Sequence, residues 1–296
     1  MAENSIDDRY DGCTERMANL VSSRFLHIEW LCTEGFYKAW VDAEKQINGS
    51  KDNLTVNHLT AILVYTQPLV ADIHIKFNND VMTGKQKYRA DTYKWYSLHF
   101  LLTDAIQILK KTQNNCTTTY RGTHDMFNEN VLYKEIRFGR FTSSSLLRSE
   151  AVWFGSESCF EIQTCHGANI TKYSSKPNEK EVLIPPYEKF NVTAIRKRGE
   201  KYEWCKTVFV LNSTGIRSDL NCAVASIESQ KCPRRSPLRH TPYYNPANYR
   251  PLGTRPGRIQ PARKFYNKNM RCKRKYFPQY LRRNKGWSGT RFLGTP

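Results

Sequence analysis

The sequence predicts an α+β protein, with helices first and strands after. Three observations predict it. Up to about residue 112, apolar and aromatic residues recur at spacings of three and four. Beyond Cys116 the chain turns to short segments rich in β-branched and aromatic residues, separated by polar turns. The two textures are segregated and do not alternate, which argues against a βαβ succession and its parallel sheet.

In the first half, SRFLHIEWLCTEGFYKAWVDAEKQI, VNHLTAILVYT and YSLHFLLTDAIQILKK each carry the helical period. The last ends on two lysines, which suit the negative end of a helix dipole. In the second half, TTTYRGT, IRFGRFTSSSL, CFEIQTCHG, EVLIPP, FNVTAIRKR and EWCKTVFVLNS read as strands. From Pro233 onward prolines are frequent and no apolar period survives, so 233–296 reads as a disordered tail. The expected organisation is one domain over 1–232, helical to about 112 and β-rich over 113–232, followed by that tail.

The formal net charge of +19 belongs to the tail. Residues 233–296 hold 17 Lys and Arg and no Asp or Glu, which leaves 29 basic and 27 acidic residues in the first 232. The body is nearly neutral. The tail has three readings: a polyanion contact, an inert solvated extension, or a stretch read past the true end of the gene. No apolar run is long enough to span a bilayer. The start, MAENSIDDRYDGC, is acidic and polar and is no signal peptide. Yet nine cysteines without a C-x-x-C pair favour disulfides over zinc. N-x-S/T sequons at Asn48, Asn53, Asn115, Asn169, Asn191 and Asn212 point the same way. The expectation is a protein of the secretory route whose leader is absent from this chain.

Three patterns in the β-rich half bear on chemistry. In EKEVLIPP, a strand would put Glu179 and Glu181 on one face with Lys180 opposite, Cβ atoms roughly 6–7 Å apart. Such a pair either faces solvent at an edge or shares a cleft, as paired carboxylates do around an oxocarbenium-like transition state. In TYRGT, Arg121 is either a surface arginine or a fork for a phosphate. Its neighbour Gly122 would let a ligand approach the backbone. In FGRFTSSSL, the serines from Ser143 form a polar turn or supply a hydroxyl to a carboxylate. No metal-ligand cluster is visible.

In this order the segments resemble the arginine-specific mono-ADP-ribosyltransferases of the vertebrate cell surface and secretory route, whose active site follows an R-S-E pattern. The resemblance spans roughly residues 1–225 and rests on SIDDRYDGC, YSLHFLLTDAIQIL, CTTTYRGTHDMF, FGRFTSSSL, CFEIQTCHGANITKYS and EKEVLIPPYEKFNV. It implies an ADP-ribosyltransferase fold with a β-sandwich catalytic core around an NAD cleft. It further implies that Arg121 holds the NAD phosphates and that Gly122 meets the nicotinamide amide through its backbone. Ser143 would orient the catalytic Glu181, and Glu179 would confer arginine specificity. Tyr173 and Ser174 would lie in a loop that helps recognise target and cofactor. Arg140 would also face NAD, at a place where glutamine is expected in many relatives.

The implied activity is transfer of ADP-ribose from NAD to the guanidinium of arginine in acceptor proteins, with release of nicotinamide and no metal. An NAD glycohydrolase, or a catalytically weak secreted protein binding polyanions through its tail, is the alternative. The resemblance also implies disulfides Cys13–Cys222 and Cys116–Cys165; the pairing of Cys32, Cys159, Cys205, Cys232 and Cys272 stays open, with Cys159–Cys205 as one candidate. Many relatives end in a hydrophobic GPI signal. None follows Cys222 here, so the expectation is secretion without an anchor.

Overall fold

The computed structural model describes residues 2–67, 72–199 and 203–226, which all belong to one compact unit. The basic segment 233–296, and every expectation attached to it, lies outside the described residues. So do Cys232 and Cys272.

The chain starts with a buried extended segment, not a loose end. Ser5, Ile6, Asp7, Asp8 and Tyr10 are all buried. Asp7 pairs with Arg137 at 2.6 Å, with both side chains fully enclosed. Its other oxygen accepts from Leu220 N at 3.0 Å. Asp8 accepts from the amides of Tyr10 and Cys222 and from the Tyr88 hydroxyl. Buried carboxylates survive only when so satisfied.

The long periodic run of the first half is not one helix. Helix α1 (Thr14–Leu20) passes through a π-helical turn, Val21–Phe25, into α2 (Leu26–Cys32). Gly35, at φ 76°, then breaks the run before α3 (Phe36–Glu44). Helix α4 (Val56–Thr66) begins with a capping box between Thr55 and His58. Two helices were not expected from the sequence, α5 (Ile73–Thr83) and α6 (Lys85–Arg89). Helix α7 (Tyr96–Lys110) is buried on nearly every side over its first turns, as an all-round apolar helix must be.

Glu29 of α2 lies under the first turn of α7 and accepts from Ser97 N at 2.8 Å. Burial nevertheless pushes its carboxyl up to about 8. The native state therefore holds a proton that the unfolded chain has lost, so stability falls as pH rises from the ordinary carboxylate range through about 8. Buried Asp8, pushed up to about 7, shares the lower part of that window. Between pH 7 and 8 the Glu29 contribution is about 1 kcal/mol. Glu29→Gln is expected to flatten this slope in urea unfolding followed at both pH values. An unchanged slope would show that Glu29 is ionised in the fold.

The strands are β1 (Thr117–Thr123), β2 (Glu135–Ile136), β3 (Thr142–Ser145), β4 (Ser158–Thr164), β5 (Ala168–Asn169), β6 (Glu181–Ile184), β7 (Glu188–Lys197) and β8 (Thr207–Ile216). A short helix, α8 (Arg148–Val152), follows β3. The segment read as one strand, IRFGRFTSSSL, is split. Gly139 at φ 67° separates β2 from β3 and lets Arg137 turn inward to Asp7.

Among the described residues the strands form one ladder in the order β2-β7-β8-β4-β1-β3-β6-β5. Only β4–β8 is parallel. The ladder is nearly cut in two. Strands β1 and β3 meet at one residue pair, Tyr120 with Ser145, so five strands and three strands join at a seam. The hydrophobic core is divided in a related way. Leu183 of β6 joins the helices in one cluster, while Ile184 joins Phe160, Phe190 and Phe209 in another. That explains why EVLI is buried along its whole length instead of alternating.

Three disulfides are described: Cys13–Cys222, Cys116–Cys165 and Cys159–Cys205, with Cα atoms 6.0, 4.1 and 6.1 Å apart. Cys32 is disulfide-bonded as well. Beside Cys165, the buried Glu188 accepts from Thr164, Ser213 and the amides of Cys165 and His166. This carboxylate pins the IPPYE segment to the bridge. No helix among the described residues is long and apolar enough to cross a membrane.

Candidate active site

The seam between β1 and β3 forms the floor of a cleft. Strand β1 carries Arg121 at this position, and its Nη1 donates to the backbone oxygen of Ser143 at 2.7 Å. This bond ties the two parts of the ladder beside their one paired residue. A cavity of about 310 Å³ opens there, with Arg121, Arg140, Ser143, Glu179 and Glu181 in its wall. Five of the residues singled out in the sequence thus meet in one place, although 60 positions separate the first from the last.

Glu181 opens β6 and pairs with Ser145 across the ladder. It is 5% exposed, so water does little to solvate its charge. Burial pushes its carboxyl pKa up, and the nearby Glu179 pushes the same way. Hydrogen bonds from the Ser143 and Ser174 hydroxyls and the charge of Lys176 hold it down. The Ser174 hydroxyl donates to Oε2 at 3.2 Å. The carboxylate is therefore fixed, dry and aimed into the cleft.

Glu179 does not share a strand with Glu181, and the alternation expected from EKE is corrected here. Glu179 closes a 3-10 turn, Pro177–Glu179, and Lys180 follows in the left-handed region at φ 48°. The proline favours that turn, which stops the strand from starting before Glu181. The two carboxylates still face one cavity, because the left-handed residue re-aims the chain between them.

Gly122 lies under α8, away from the cavity wall. A Cβ there would stand 2.2 Å from the Gly155 oxygen and 2.3 Å from the Ala151 oxygen. Its bareness serves packing of the backbone after α8 against β1. Gly122→Ala is expected to cost about 4 kcal/mol, at the severe end for point changes, and to lower the melting temperature accordingly. An unchanged melting temperature would refute this contact. Tyr173 also stands off the cavity, with its hydroxyl donating to Asp52.

Other residues of the wall were not singled out from the sequence. Tyr65 of α4 donates to the Phe141 oxygen at 3.0 Å and accepts from Asn78 at 3.1 Å. His74 and Asn78 come from α5. Phe154 follows α8, and Lys176 precedes the 3-10 turn. Helix α5 was legible in principle, since Ile73, Phe77 and Val81 are buried at a spacing of four. Among the described residues no cluster of His, Cys, Asp and Glu is placed to hold a metal ion.

A cleft with two guanidinium groups fits the two negative charges of a dinucleotide pyrophosphate. Burial lowers the Arg121 pKa from its usual value and the Arg140 charge adds to this, while Tyr65 and Glu181 oppose it. Removed from water, Arg121 makes stronger charge-assisted bonds to phosphate than a surface arginine.

Comparisons with known proteins agree with this geometry. The family model for NAD:arginine ADP-ribosyltransferase matches residues 1–209. Human ecto-ADP-ribosyltransferase 4 is 35% identical over 246 residues, covering 78% of this chain and 74% of the relative. The erythroblast NAD(P)(+)--arginine ADP-ribosyltransferase of Gallus gallus is 30% identical over 261 residues, covering 82% and 83%. The crystal structure of the eukaryotic mono-ADP-ribosyltransferase ART2.2 superposes with a TM-score of 0.62 at 29% identity, covering 75% of this chain and 96% of that one. Mutants of that enzyme have been solved with NADH and with NAD bound. This chain, with its arginine, serine and glutamates gathered in one cleft, belongs to the NAD:arginine ADP-ribosyltransferase family.

Proposed function

We propose that the protein transfers ADP-ribose from NAD to the guanidinium of arginine in acceptor proteins and releases nicotinamide. The observation that carries this is the convergence of Arg121, Ser143, Glu179 and Glu181 on one cleft, in a chain of this family. The catalytic unit is residues 1–232.

Arg121 and Arg140 hold the pyrophosphate. Glu181 accepts from a ribose hydroxyl and stabilises the positive charge that grows on the ribose. The nicotinamide leaves with the bonding electron pair of the nitrogen–ribose bond. A fixed, preorganised charge stabilises that state more than the ground state. Ser143 and Ser174 keep the carboxylate in place. A free guanidinium has a pKa above about 12 and is a poor nucleophile at neutral pH. Glu179 holds it and takes the proton it loses as its nitrogen bonds to the ribose carbon. Attack from the face opposite the nicotinamide inverts that carbon.

Several relatives are named as ecto-enzymes, and one from Mus musculus as GPI-linked. An extracellular or secretory setting suits the three described bridges. Sequons Asn48, Asn53, Asn115 and Asn212 are exposed, so their side chains are accessible in the fold. A polyanion contact through residues 233–296 is a separate proposal that rests on their 17 basic residues.

The test follows labelled NAD with the oxidised full chain, with and without agmatine as a small guanidine acceptor. Nicotinamide and ADP-ribosyl-agmatine are counted separately, with Glu181→Gln as the control. Adduct that disappears in the variant is the expected result. Nicotinamide without adduct would make the protein an NAD glycohydrolase.

A further inference from the structure

The carboxylate proposed to receive the acceptor is already taken. Lys176 Nζ sits 2.9 Å from Glu179 Oε1, inside the wall of the same cavity. A guanidinium binding Glu179 through both oxygens must displace this ammonium, and a second cation beside it is repelled in any case.

The backbone that carries the contact is held in place on both sides of Lys176. On one side of Lys176, Ser175 is bonded twice to Thr66 at the end of α4, through its amide at 3.0 Å and its hydroxyl at 2.8 Å. The Lys176 amide donates to the Ser174 hydroxyl at 3.1 Å, the same hydroxyl that donates to Glu181. On the other side, Pro177 begins the 3-10 turn that ends on Glu179. Lysine and glutamate therefore stand three apart on a fixed turn. The lysine side chain is 42% exposed and the glutamate 26% exposed. A half-exposed pair of this kind is weak enough for an incoming ligand to open.

We propose that Lys176 is an internal competitor for the acceptor arginine: it occupies Glu179 in place of the guanidinium and so shifts the reaction from arginine transfer towards NAD hydrolysis. Water needs no place on Glu179, so hydrolysis proceeds with the pair closed. Transfer needs the pair open. A protein acceptor whose target arginine is accompanied by an acidic side chain is favoured over a bare guanidine, because that second group gives the displaced ammonium a partner. This inference rests on the reading of Glu179 given above.

The experiment measures the KM for agmatine and the ratio of adduct to free ADP-ribose in the oxidised full chain. Wild type, Lys176→Met, Lys176→Arg, Glu179→Gln and the Lys176→Met/Glu179→Gln double variant are compared. Lys176→Met is expected to lower the KM for agmatine about two- to fivefold, the range that a half-exposed pair allows, and to raise the adduct ratio. Lys176→Arg, whose guanidinium can fork onto Glu179, is expected to raise the KM for agmatine and to lower the adduct ratio. In the Glu179→Gln background, Lys176→Met is expected to change nothing, since the shared partner is gone. An unchanged or higher KM for agmatine in Lys176→Met would overturn the proposal. So would a rise in the KM for NAD alone, which would place the lysine on the dinucleotide. If Glu179→Gln forms adduct as wild type does, the underlying assignment of Glu179 fails instead. The two failures are therefore distinguishable.

Discussion

Glu181→Gln is expected to lower nicotinamide release and arginine transfer together by about 10²–10³-fold, the usual loss for a single preorganised electrostatic group. NAD affinity is expected to change little. The amide has nearly the shape of the carboxylate and keeps an oxygen for the Ser174 hydroxyl. It keeps the ladder position opposite Ser145. What it loses is the charge, and the charge matters only as positive charge appears on the ribose. Arg121 and Arg140, proposed to hold the phosphates, keep their places in the cleft wall, although Arg121 loses the Glu181 charge that acts on it. Equilibrium binding of NAD, followed by tryptophan quenching, separates affinity from turnover. The pH profile gives a second readout. Burial raises the Glu181 pKa, and the role proposed for it needs the ionised form. Activity in the wild type should therefore fail, as pH falls, above the ordinary carboxylate range. That limb should vanish from the residual activity of the variant. Wild-type turnover in Glu181→Gln would refute the assignment.

Glu179→Gln is expected to divide the two reactions. Transfer to agmatine should fall about 100-fold, since an amide can neither bind a guanidinium as a charge-assisted fork nor accept its proton. Nicotinamide release without an acceptor should persist at a substantial fraction of wild type. The Glu179 side chain has Lys176 as its partner and not the serines that bond Glu181. Its loss leaves the fixed shell of Glu181 standing, and also removes one charge that pushes the Glu181 pKa up. Equal loss of both reactions would sink this division of labour.

The strands that carry the site were legible from local pattern, whereas Arg121, Ser143, Glu179 and Glu181 were singled out on the resemblance, since each pattern alone also had an ordinary surface reading. TTTYRGT is a strand from end to end, so Arg121 could be placed on it. Ser143 falls in a short strand, as the β-rich texture implied. The EKE reading failed in geometry because strand alternation was extended back across a proline-initiated turn, and one left-handed lysine is invisible to a period-two pattern. Gly122 was read as a place for ligand, and the structure adds a packing demand on it from Ala151 and Gly155, about thirty positions later. No local pattern reports such a contact. Tyr65 was visible as a helical aromatic residue, but only the tertiary fold brings it beside Arg121. The split of the first helical run follows from a single glycine, Gly35, inside an otherwise continuous period.

The buried first segment has a consequence for how the protein is made. Asp7 and Asp8 find their partners at Leu220 and Cys222, and Asn221 exchanges bonds with Asp11. Cys13 closes on Cys222 across 209 positions. Residues 7–13 must therefore wait for partners that lie more than two hundred positions further along the chain. In an oxidising compartment the Cys13 thiol would stay unpaired as Cys32, Cys116, Cys159, Cys165 and Cys205 pass. A wrong bridge formed then can be undone only by thiolate exchange. In such a compartment the Cys13–Cys222 ring would close after the shorter bridges, with disulfide exchange as the route that corrects errors.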